Sequence, residues 1–261
     1  MFRKKYFFFD IDGTIAVNFP RVIPESTRRT INALIERGHF VSLATGRMRA
    51  MTKEFVDEFG ITNMVTDGGK GIVLDGKFEV EPLEYYPIKQ LTMELDEKNI
   101  PWAVCLSDEL VCYSKYPDFQ TLMESSIKVK GYIDFVAMPD LDIDIERNIY
   151  KGFVYIRKEQ EKDIESLKYV SYTRYQENYI ILEDDDKSIG IKKIRDRMNI
   201  DDRDIVVFGD NTNDIKMFKP EWTSIAMGNA VEELKKVATF VTKDADDNGI
   251  EFACKHFGWI D

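Results

Sequence analysis

Short apolar runs alternate with amphipathic segments near both ends of the chain. The run that ends at Asp10 is typical of a strand buried on both faces of a parallel sheet. Ser26 is a candidate cap for the next helix, with Ile31, Leu34 and Ile35 on the buried face. This alternation predicts a doubly wound parallel α/β sheet, a Rossmann-like core. The predicted strands are Tyr6–Asp10, Phe40–Ala44, Met64–Thr66, Asp204–Phe208, Ser224–Ala226 and Phe240–Thr242, and the predicted helices are Ser26–Arg37, Met48–Phe59, Ser188–Met198 and segments starting near Thr212, Val231 and Ile250.

The pattern changes in the middle of the chain, where strands come in adjacent pairs. Asp75-Gly76 between two apolar runs is a hairpin signal, and adjacent strands favour antiparallel pairing. We therefore predict an α/β core of residues 1–81 and 185–261, interrupted by an inserted α+β module of residues 82–184. The strands predicted there are Trp102–Leu106, Leu110–Ser114, Gly152–Ile156, Tyr169–Thr173 and Tyr179–Leu182, with helices at Ile88–Lys98 and Phe119–Val129.

Composition and charge limit the partners. The chain has 261 residues, 44% of them hydrophobic, which suffices for a buried core and disfavours general disorder. The longest apolar runs fall far short of the roughly 20 residues that span a membrane. Asp10 and Asp12 cut the N-terminal apolar run too short for a signal peptide, so we expect a cytoplasmic protein without a membrane partner. A net charge of −11 disfavours nucleic acid, and the basic stretch Lys192–Arg197 is interpreted as a solvated helix face.

Few cysteine and histidine residues are available for chemistry. The three cysteines, Cys105, Cys112 and Cys254, form no CxxC pair, so we expect reduced, structural thiols. The two histidines, His39 and His256, have no plausible catalytic neighbour in the sequence. Acid–base chemistry in this chain is therefore expected to use carboxylates.

The first carboxylate motif is Asp10-Ile11-Asp12-Gly13-Thr14, directly after a predicted buried strand. Strand alternation would point Asp10 and Asp12 to opposite faces. Both can meet one ligand only if the chain leaves the strand at Asp10, and Gly13 permits such a turn. The alternative, a strand that ends in a solvated acidic turn, is common for an isolated motif of this kind.

A second acidic motif, Gly209-Asp210-Asn211-Thr212-Asn213-Asp214, follows another predicted buried strand. Carboxylates from two neighbouring strand ends provide the oxygen ligands that Mg²⁺ prefers. A capped helix with acidic residues at its positive end would explain Asp214 alone. That alternative does not explain a second acidic strand end in the same sheet.

Two further segments carry polar groups suited to phosphate. Thr45-Gly46-Arg47 follows a predicted strand, and a hydroxyl with free backbone N–H groups at a helix start binds phosphate. Lys187 re-enters the core after the insert and can neutralise a phosphate oxygen. Taken separately, these residues would be interpreted as a helix cap and a surface lysine.

Together and in this order, the four segments resemble the motifs of the haloacid dehalogenase superfamily of phosphohydrolases. The C-terminal segments Ala226–Ala230, Ala238–Thr242 and Asp247–Ile250 look like those of its Cof-type branch. The large insert between Thr45 and Lys187 corresponds to the C2 cap of that family. One departure is Asp67-Gly68, where many Cof-type relatives have Asn-Gly.

The resemblance implies a mechanism. Asp10 would be the nucleophile and Asp12 the general acid and base. Mg²⁺ would be the cofactor, held by Asp10, the backbone carbonyl of Asp12, Asp210 and Asp214. The phosphoryl oxygens would be held by Thr45, Gly46, Lys187 and Asn213. Whether Arg47 contacts substrate or forms a structural ion pair stays open.

The expected function is a Mg²⁺-dependent phosphatase of small phosphorylated metabolites, such as sugar phosphates or phosphorylated cofactors, acting as a monomer or homodimer. A sugar phosphomutase is the nearest alternative, but it needs a second basic phosphate site. The insert offers Lys128, Lys130 and Arg147 without a clustered pair of arginines. A non-catalytic binding or regulatory protein on the same fold is the other alternative. Candidate cap residues for substrate contact are Trp102, Tyr113, Tyr172 and Tyr175, for which packing within the cap is the simpler interpretation.

Overall fold

The computed structural model describes residues 3–17, 22–126 and 133–261. The chain divides into two compact units. The first contains Met1–Arg47, Thr52–Glu79 and Asp185–Asp261, and the second contains Met48–Met51 and Val80–Asp184.

The strands in chain order are β1 (Tyr6–Phe9), β2 (Phe40–Ala44), β3 (Met64–Thr66), β4 (Gly71–Leu74), β5 (Lys77–Val80), β6 (Trp102–Cys105), β7 (Val111–Ser114), β8 (Asp134–Ala137), β9 (Lys151–Val154), β10 (Tyr172–Gln176), β11 (Tyr179–Leu182), β12 (Ile205–Gly209), β13 (Thr223–Ala226) and β14 (Phe240–Val241). The α-helices are α1 (Glu25–Glu36), α2 (Lys53–Phe59), α3 (Tyr85–Glu97), α4 (Phe119–Ser126), α5 (Lys187–Met198), α6 (Glu232–Lys235) and α7 (Gly249–His256). Short 3₁₀ helices lie at Arg49–Thr52, Asp67–Gly69, Lys158–Asp163, Glu165–Tyr169, Asp202–Asp204 and Thr212–Met217.

The first unit is built on an eight-stranded sheet in the order β14-β13-β12-β1-β2-β3-β4-β5. The strands from β14 to β3 pair in parallel, and β4 pairs antiparallel with β3. Central strand β1 is buried on both faces, because Phe7 and Phe9 join the core on one side and Phe8 joins the core on the other. The predicted doubly wound α/β core is confirmed.

Two helix boundaries of this unit differ from the prediction. Helix α1 begins at Glu25 after Pro24, so Ser26 lies inside it and caps nothing. Ile31 and Leu34 are buried as predicted, but Ile35 is 39% exposed, because it lies beyond the edge of the apolar stripe. The single helix predicted over 48–59 is a 3₁₀ turn followed by α2.

The second unit carries a six-stranded sheet in the order β10-β11-β9-β6-β7-β8. Its strands pair antiparallel except β7 with β8. Strand β8 was not predicted; it is a short strand whose residues are mostly exposed, although Phe135, Val136 and Ala137 are apolar. The strand predicted to begin at Tyr169 begins at Tyr172, and Tyr169 belongs to a 3₁₀ helix. Residues 127–129 of the predicted second helix lie outside the described part of the chain.

The structure shows the state of the cysteines and the surroundings of the residues that were candidates for substrate contact. Cys105 and Cys112 are joined by a disulfide across the β6–β7 pair, where reduced thiols were expected; Cys254 is free and buried. Trp102 is buried in this unit and its Nε1 donates to Asp96 at 2.7 Å. Three other residues were candidates for substrate contact. Tyr113 is half-buried against the same core as Trp102, and the hydroxyl of Tyr172 donates to Glu161 at 3.2 Å. The side chain of Tyr175 lies outside the described part of the structure.

Among the described residues, none of the helices is long and apolar enough to cross a membrane.

A buried histidine beside β2 makes the stability of the first unit depend on pH. His39 is 8% exposed, and its Nδ1 accepts a hydrogen bond from the Lys5 backbone N–H at 3.0 Å. Burial lowers the pKa of His39 below 6.5, and the charges of Arg37, Lys4 and Lys5 act in the same direction. Protonation of Nδ1 would also remove the acceptor that Lys5 uses.

The folded state therefore binds the proton less readily than the unfolded state, so this contribution to stability is complete above about pH 6.5 and is lost as the pH falls below it. In the variant His39→Asn, an amide oxygen can accept from Lys5 but does not titrate. We expect its free energy of unfolding in urea to fall less between about pH 7 and pH 5 than that of the unsubstituted protein. Parallel curves for the two proteins would contradict this assignment.

Candidate active site

The register of the parallel sheet brings three polar strand ends to one edge. Phe9 of β1 lies beside Leu43 of β2 and beside Phe208 of β12. Because the strands run in parallel, Asp10, Thr45 and Asp210 all follow at the same edge. The Asp10 backbone N–H donates to the Phe208 carbonyl at 3.0 Å, which continues the ladder to the start of the turn.

A buried lysine joins two of the predicted acids. Lys187 is the first residue of α5 and is 1% exposed. Its Nζ lies 2.5 Å from Asp10 Oδ1 and 2.5 Å from Asp214 Oδ1. The other oxygen of Asp214 accepts the backbone N–H groups of Asp210 at 2.9 Å and Asn211 at 3.0 Å. Asp214 is therefore held on both of its carboxylate oxygens.

The surroundings of this cluster disfavour the ionised form of its carboxylates. Burial raises the pKa of Asp10 well above its ordinary value, and the carboxylates of Asp214 and Asp210 act in the same direction against Lys187. Burial and the Asp214 carboxylate raise the pKa of Asp210 to about 7. Burial alone would lower the pKa of Lys187, but the charges of Asp10 and Asp214 outweigh it and raise that pKa above its ordinary value. Three carboxylates thus share one ammonium group.

The same acids fit a divalent cation. Asp10, Asp210 and Asp214 each offer a carboxylate oxygen, and these oxygens lie within 4.8 Å of one another. An all-oxygen donor set of this kind suits Mg²⁺. The raised pKa values of Asp10 and Asp210 agree with a site that requires more positive charge than Lys187 supplies.

The turn after Asp10 approaches Asp210 closely. Gly13 has φ +88°, and a Cβ atom there would lie 2.2 Å from Asp210 Oδ2. Thr14 Oγ1 donates to Asp210 Oδ1 at 3.4 Å. Only glycine combines this backbone conformation with this contact. Thr14 belongs to the first carboxylate motif, but it was assigned no role in the site from the sequence.

Asp12 contacts a different cation. The guanidinium group of Arg47 donates to it twice, from Nε to Oδ2 at 3.0 Å and from Nη2 to Oδ1 at 2.8 Å. Arg47 also donates to Glu54 at 3.1 Å and lies over the Phe55 ring. The arginine is 7% exposed, while the side chain of Asp12 is 54% exposed. Arg47 therefore forms an ion pair, one of the two alternatives that the sequence left open.

The predicted phosphate-binding residues lie at the same edge. Thr45 Oγ1 accepts the backbone N–H of Arg47 at 3.1 Å, which leaves the hydroxyl hydrogen available to a ligand. Gly46 follows in the chain, and half-buried Asn213 directly precedes Asp214. The cap of α5 is Asp186, whose carboxylate accepts the Ser188 backbone N–H at 3.1 Å.

Comparisons with known proteins agree with this geometry. The family model of haloacid dehalogenase-like hydrolases matches residues 7–253. The chain is 33% identical over 260 residues to a Bacillus subtilis (strain 168) protein called Putative phosphatase YkrA, covering 98% of this chain and 99% of that one. It is 26% identical to 5-amino-6-(5-phospho-D-ribitylamino)uracil phosphatase YwtE of the same organism, covering 93% of this chain and 94% of that one.

A solved structure has the same fold throughout. The sugar phosphatase BT4131, of haloacid dehalogenase subclass IIB, superposes with a TM-score of 0.79 at 25% identity, covering 98% of this chain and 100% of that one. The family model spans nearly the whole chain, both relatives are named phosphatases, and the fold agrees from end to end. The chain belongs to the haloacid dehalogenase-like hydrolases.

Proposed function

We propose that this protein is a Mg²⁺-dependent phosphatase that hydrolyses phosphomonoesters of small metabolites through an aspartyl-phosphate. The observation that supports this most directly is that the carboxylates of Asp10, Asp210 and Asp214 lie together, with the buried ammonium group of Lys187 in contact with Asp10 and Asp214. Phosphoryl transfer requires mainly positioning and charge neutralisation, which this cluster would supply once Mg²⁺ is bound beside Lys187.

In the first step, an Asp10 oxygen attacks phosphorus and the bond to the ester oxygen breaks. Asp12 gives its proton to the departing alkoxide, which leaves as an alcohol. The Thr45 hydroxyl, the Gly46 backbone, Lys187 and Asn213 would hold the transferring phosphoryl oxygens. The product of this step is an acyl phosphate on Asp10 and an ionised Asp12.

In the second step, water attacks the phosphorus of the aspartyl-phosphate. Asp12 accepts a proton from that water, the bond between phosphorus and the Asp10 oxygen breaks, and inorganic phosphate leaves. Arg47 donates two hydrogen bonds to the Asp12 carboxylate that would accept this proton. Asp10 regains its carboxylate, so the cycle consumes only water.

Asp10, Asp210 and Asp214 would hold Mg²⁺, together with the backbone carbonyl of Asp12. When bound, Mg²⁺ supplies the positive charge that offsets the crowded acids and the phosphoryl oxygens. Lys187 remains in contact with Asp10 and Asp214 from the side of α5.

The substrate class is inferred from the named relatives. One is a sugar phosphatase and another a phosphatase of a ribitylaminouracil phosphate, and both substrates join a phosphoryl group to a small polyhydroxylated carbon chain. We propose a substrate of this general kind for the present chain. Of the basic residues considered for the mutase alternative, Arg147 lies over the Tyr85 ring. Lys128 and Lys130 lie outside the described residues.

The first test is phosphate release from a panel of phosphorylated sugars, sugar alcohols and cofactors, with Mg²⁺ and with EDTA. We expect release only with Mg²⁺, and a loss of at least about 10³-fold in the variant Asp10→Asn, because the nucleophile is removed. Asp57→Asn, at an exposed acid of α2, is the matched control and should retain full activity.

An absence of release from folded protein across the panel would contradict the phosphatase proposal. Transfer of phosphate with a sugar bisphosphate would then favour the mutase, and binding without turnover would favour a regulatory protein.

A second test uses the pKa of about 7 for Asp210 in the metal-free protein. Protons compete with Mg²⁺ for this carboxylate below that pH, so Mg²⁺ should stabilise the fold more as the pH rises. At a Mg²⁺ concentration one hundred times its Kd, the gain in unfolding free energy is about 2.7 kcal/mol. We expect the Mg²⁺-induced rise in Tm to be larger at about pH 8 than at about pH 6. In the variant Asp210→Asn the rise should be small at both; a rise independent of pH in the unsubstituted protein would count against Asp210 as a ligand.

A further inference from the structure

The side-chain amide of Asn229 connects two loops at the edge of the sheet in the first unit. Its Nδ2 donates to the Gly13 carbonyl at 2.9 Å, and its Oδ1 accepts the Ala245 backbone N–H at 2.9 Å. Gly13 belongs to the turn after the proposed nucleophile, 216 residues earlier in the chain. Both ends of the amide are therefore used, and one of them fixes a peptide group next to the acids.

That peptide group is packed directly against a proposed metal ligand. A Cβ atom on Gly13 would overlap Asp210 Oδ2, and Thr14 donates to the other oxygen of the same carboxylate. The turn is otherwise closed on itself, with the Gly13 N–H donating to Ala16 at 2.8 Å. A shift of the turn would therefore shift the surface on which the Asp210 carboxylate rests.

The segment that carries Asn229 also holds the backbone of Asp210. The Val231 N–H donates to the Asp210 carbonyl at 2.9 Å, and the Met227 N–H donates to the Gly209 carbonyl at 3.0 Å. One short segment thus contacts Asp210 through its backbone and, through Asn229 and Gly13, supports its side chain. The hydrogen bond to Gly13 is the part of this arrangement that a side-chain substitution can remove.

We propose that Asn229 is a positioning residue for the Mg²⁺ site, acting through the Gly13 carbonyl on the Asp210 carboxylate. The inference rests on the proposed function, because it presumes that the acids bind Mg²⁺. Its strength is that of one hydrogen bond at an exposed residue, which corresponds to about a three- to tenfold change in Mg²⁺ affinity.

The test is calorimetric titration of the metal-free protein with Mg²⁺, with Tm in EDTA measured in parallel. Asn229→Ala removes both hydrogen bonds. Asn229→Asp keeps an oxygen for the Ala245 N–H but cannot donate to Gly13. We expect both variants to bind Mg²⁺ about three- to tenfold more weakly, while Asn229→Asp keeps a Tm in EDTA close to that of the unsubstituted protein. The added negative charge of Asp would by itself strengthen Mg²⁺ binding, so charge cannot produce this result.

Asn248→Asp is the matched control, because it makes the same chemical change in the loop that contains Ala245. Asn248 has φ +59°, a conformation that Asp also tolerates, and its substitution should leave Mg²⁺ affinity unreduced. Unchanged affinity in Asn229→Asp would overturn the inference, because the Gly13 hydrogen bond would then have no effect on the metal. No binding of Mg²⁺ by the unsubstituted protein would overturn the proposed function itself, and this inference with it.

Discussion

One buried ammonium group balances the negative charge on which the site is built. Lys187 Nζ contacts Asp10 and Asp214 from the first turn of α5, and Asp210 belongs to the same group of acids. Removing an ionised carboxylate from water costs free energy unless a cation accompanies it, and here three carboxylates share one. The raised pKa values of Asp10 and Asp210 express the remaining deficit of positive charge. That deficit supports the proposed binding of a second cation at this edge, independently of any relative.

Two acids only two residues apart have different surroundings. Asp10 is buried against Lys187, whereas Asp12 faces solvent and is held by the guanidinium of Arg47. The chain leaves the strand after Phe9 and turns at Ile11, whose carbonyl accepts the backbone N–H groups of Thr14 and Ala16, so the two acids point into different surroundings. Distinct surroundings allow the two aspartates to take the different roles proposed for them, Asp10 as nucleophile and Asp12 as proton carrier.

Features set by local pattern could be predicted from the sequence, and features set by tertiary contact could not. The nearly continuous apolar runs predicted β1, β2 and β12 closely, since burial on both faces of a sheet leaves few alternatives. The pairing of Arg47 with Asp12 depends on a fork geometry that sequence spacing does not encode. The contact of Asn229 with the turn at Gly13 could not be predicted, because an exposed amide gives no burial signal in the sequence. Strand β8 was also missed, because it is short and mostly exposed and is defined by its tertiary pairing with β7.

During synthesis, strand β1 stays for a long interval without one of its two partner strands. It consists of Tyr6, Phe7, Phe8 and Phe9, and one of its two partners, β12, begins at Ile205, about 200 residues later. At a ribosomal rate of about 5–20 residues per second, that interval lasts roughly 10–40 s. An aromatic strand with one unpaired edge is a site for aggregation during that interval. The strand that directly precedes the proposed nucleophile is thus among the first made and among the last to be fully paired, which makes the nascent chain a candidate client for chaperones.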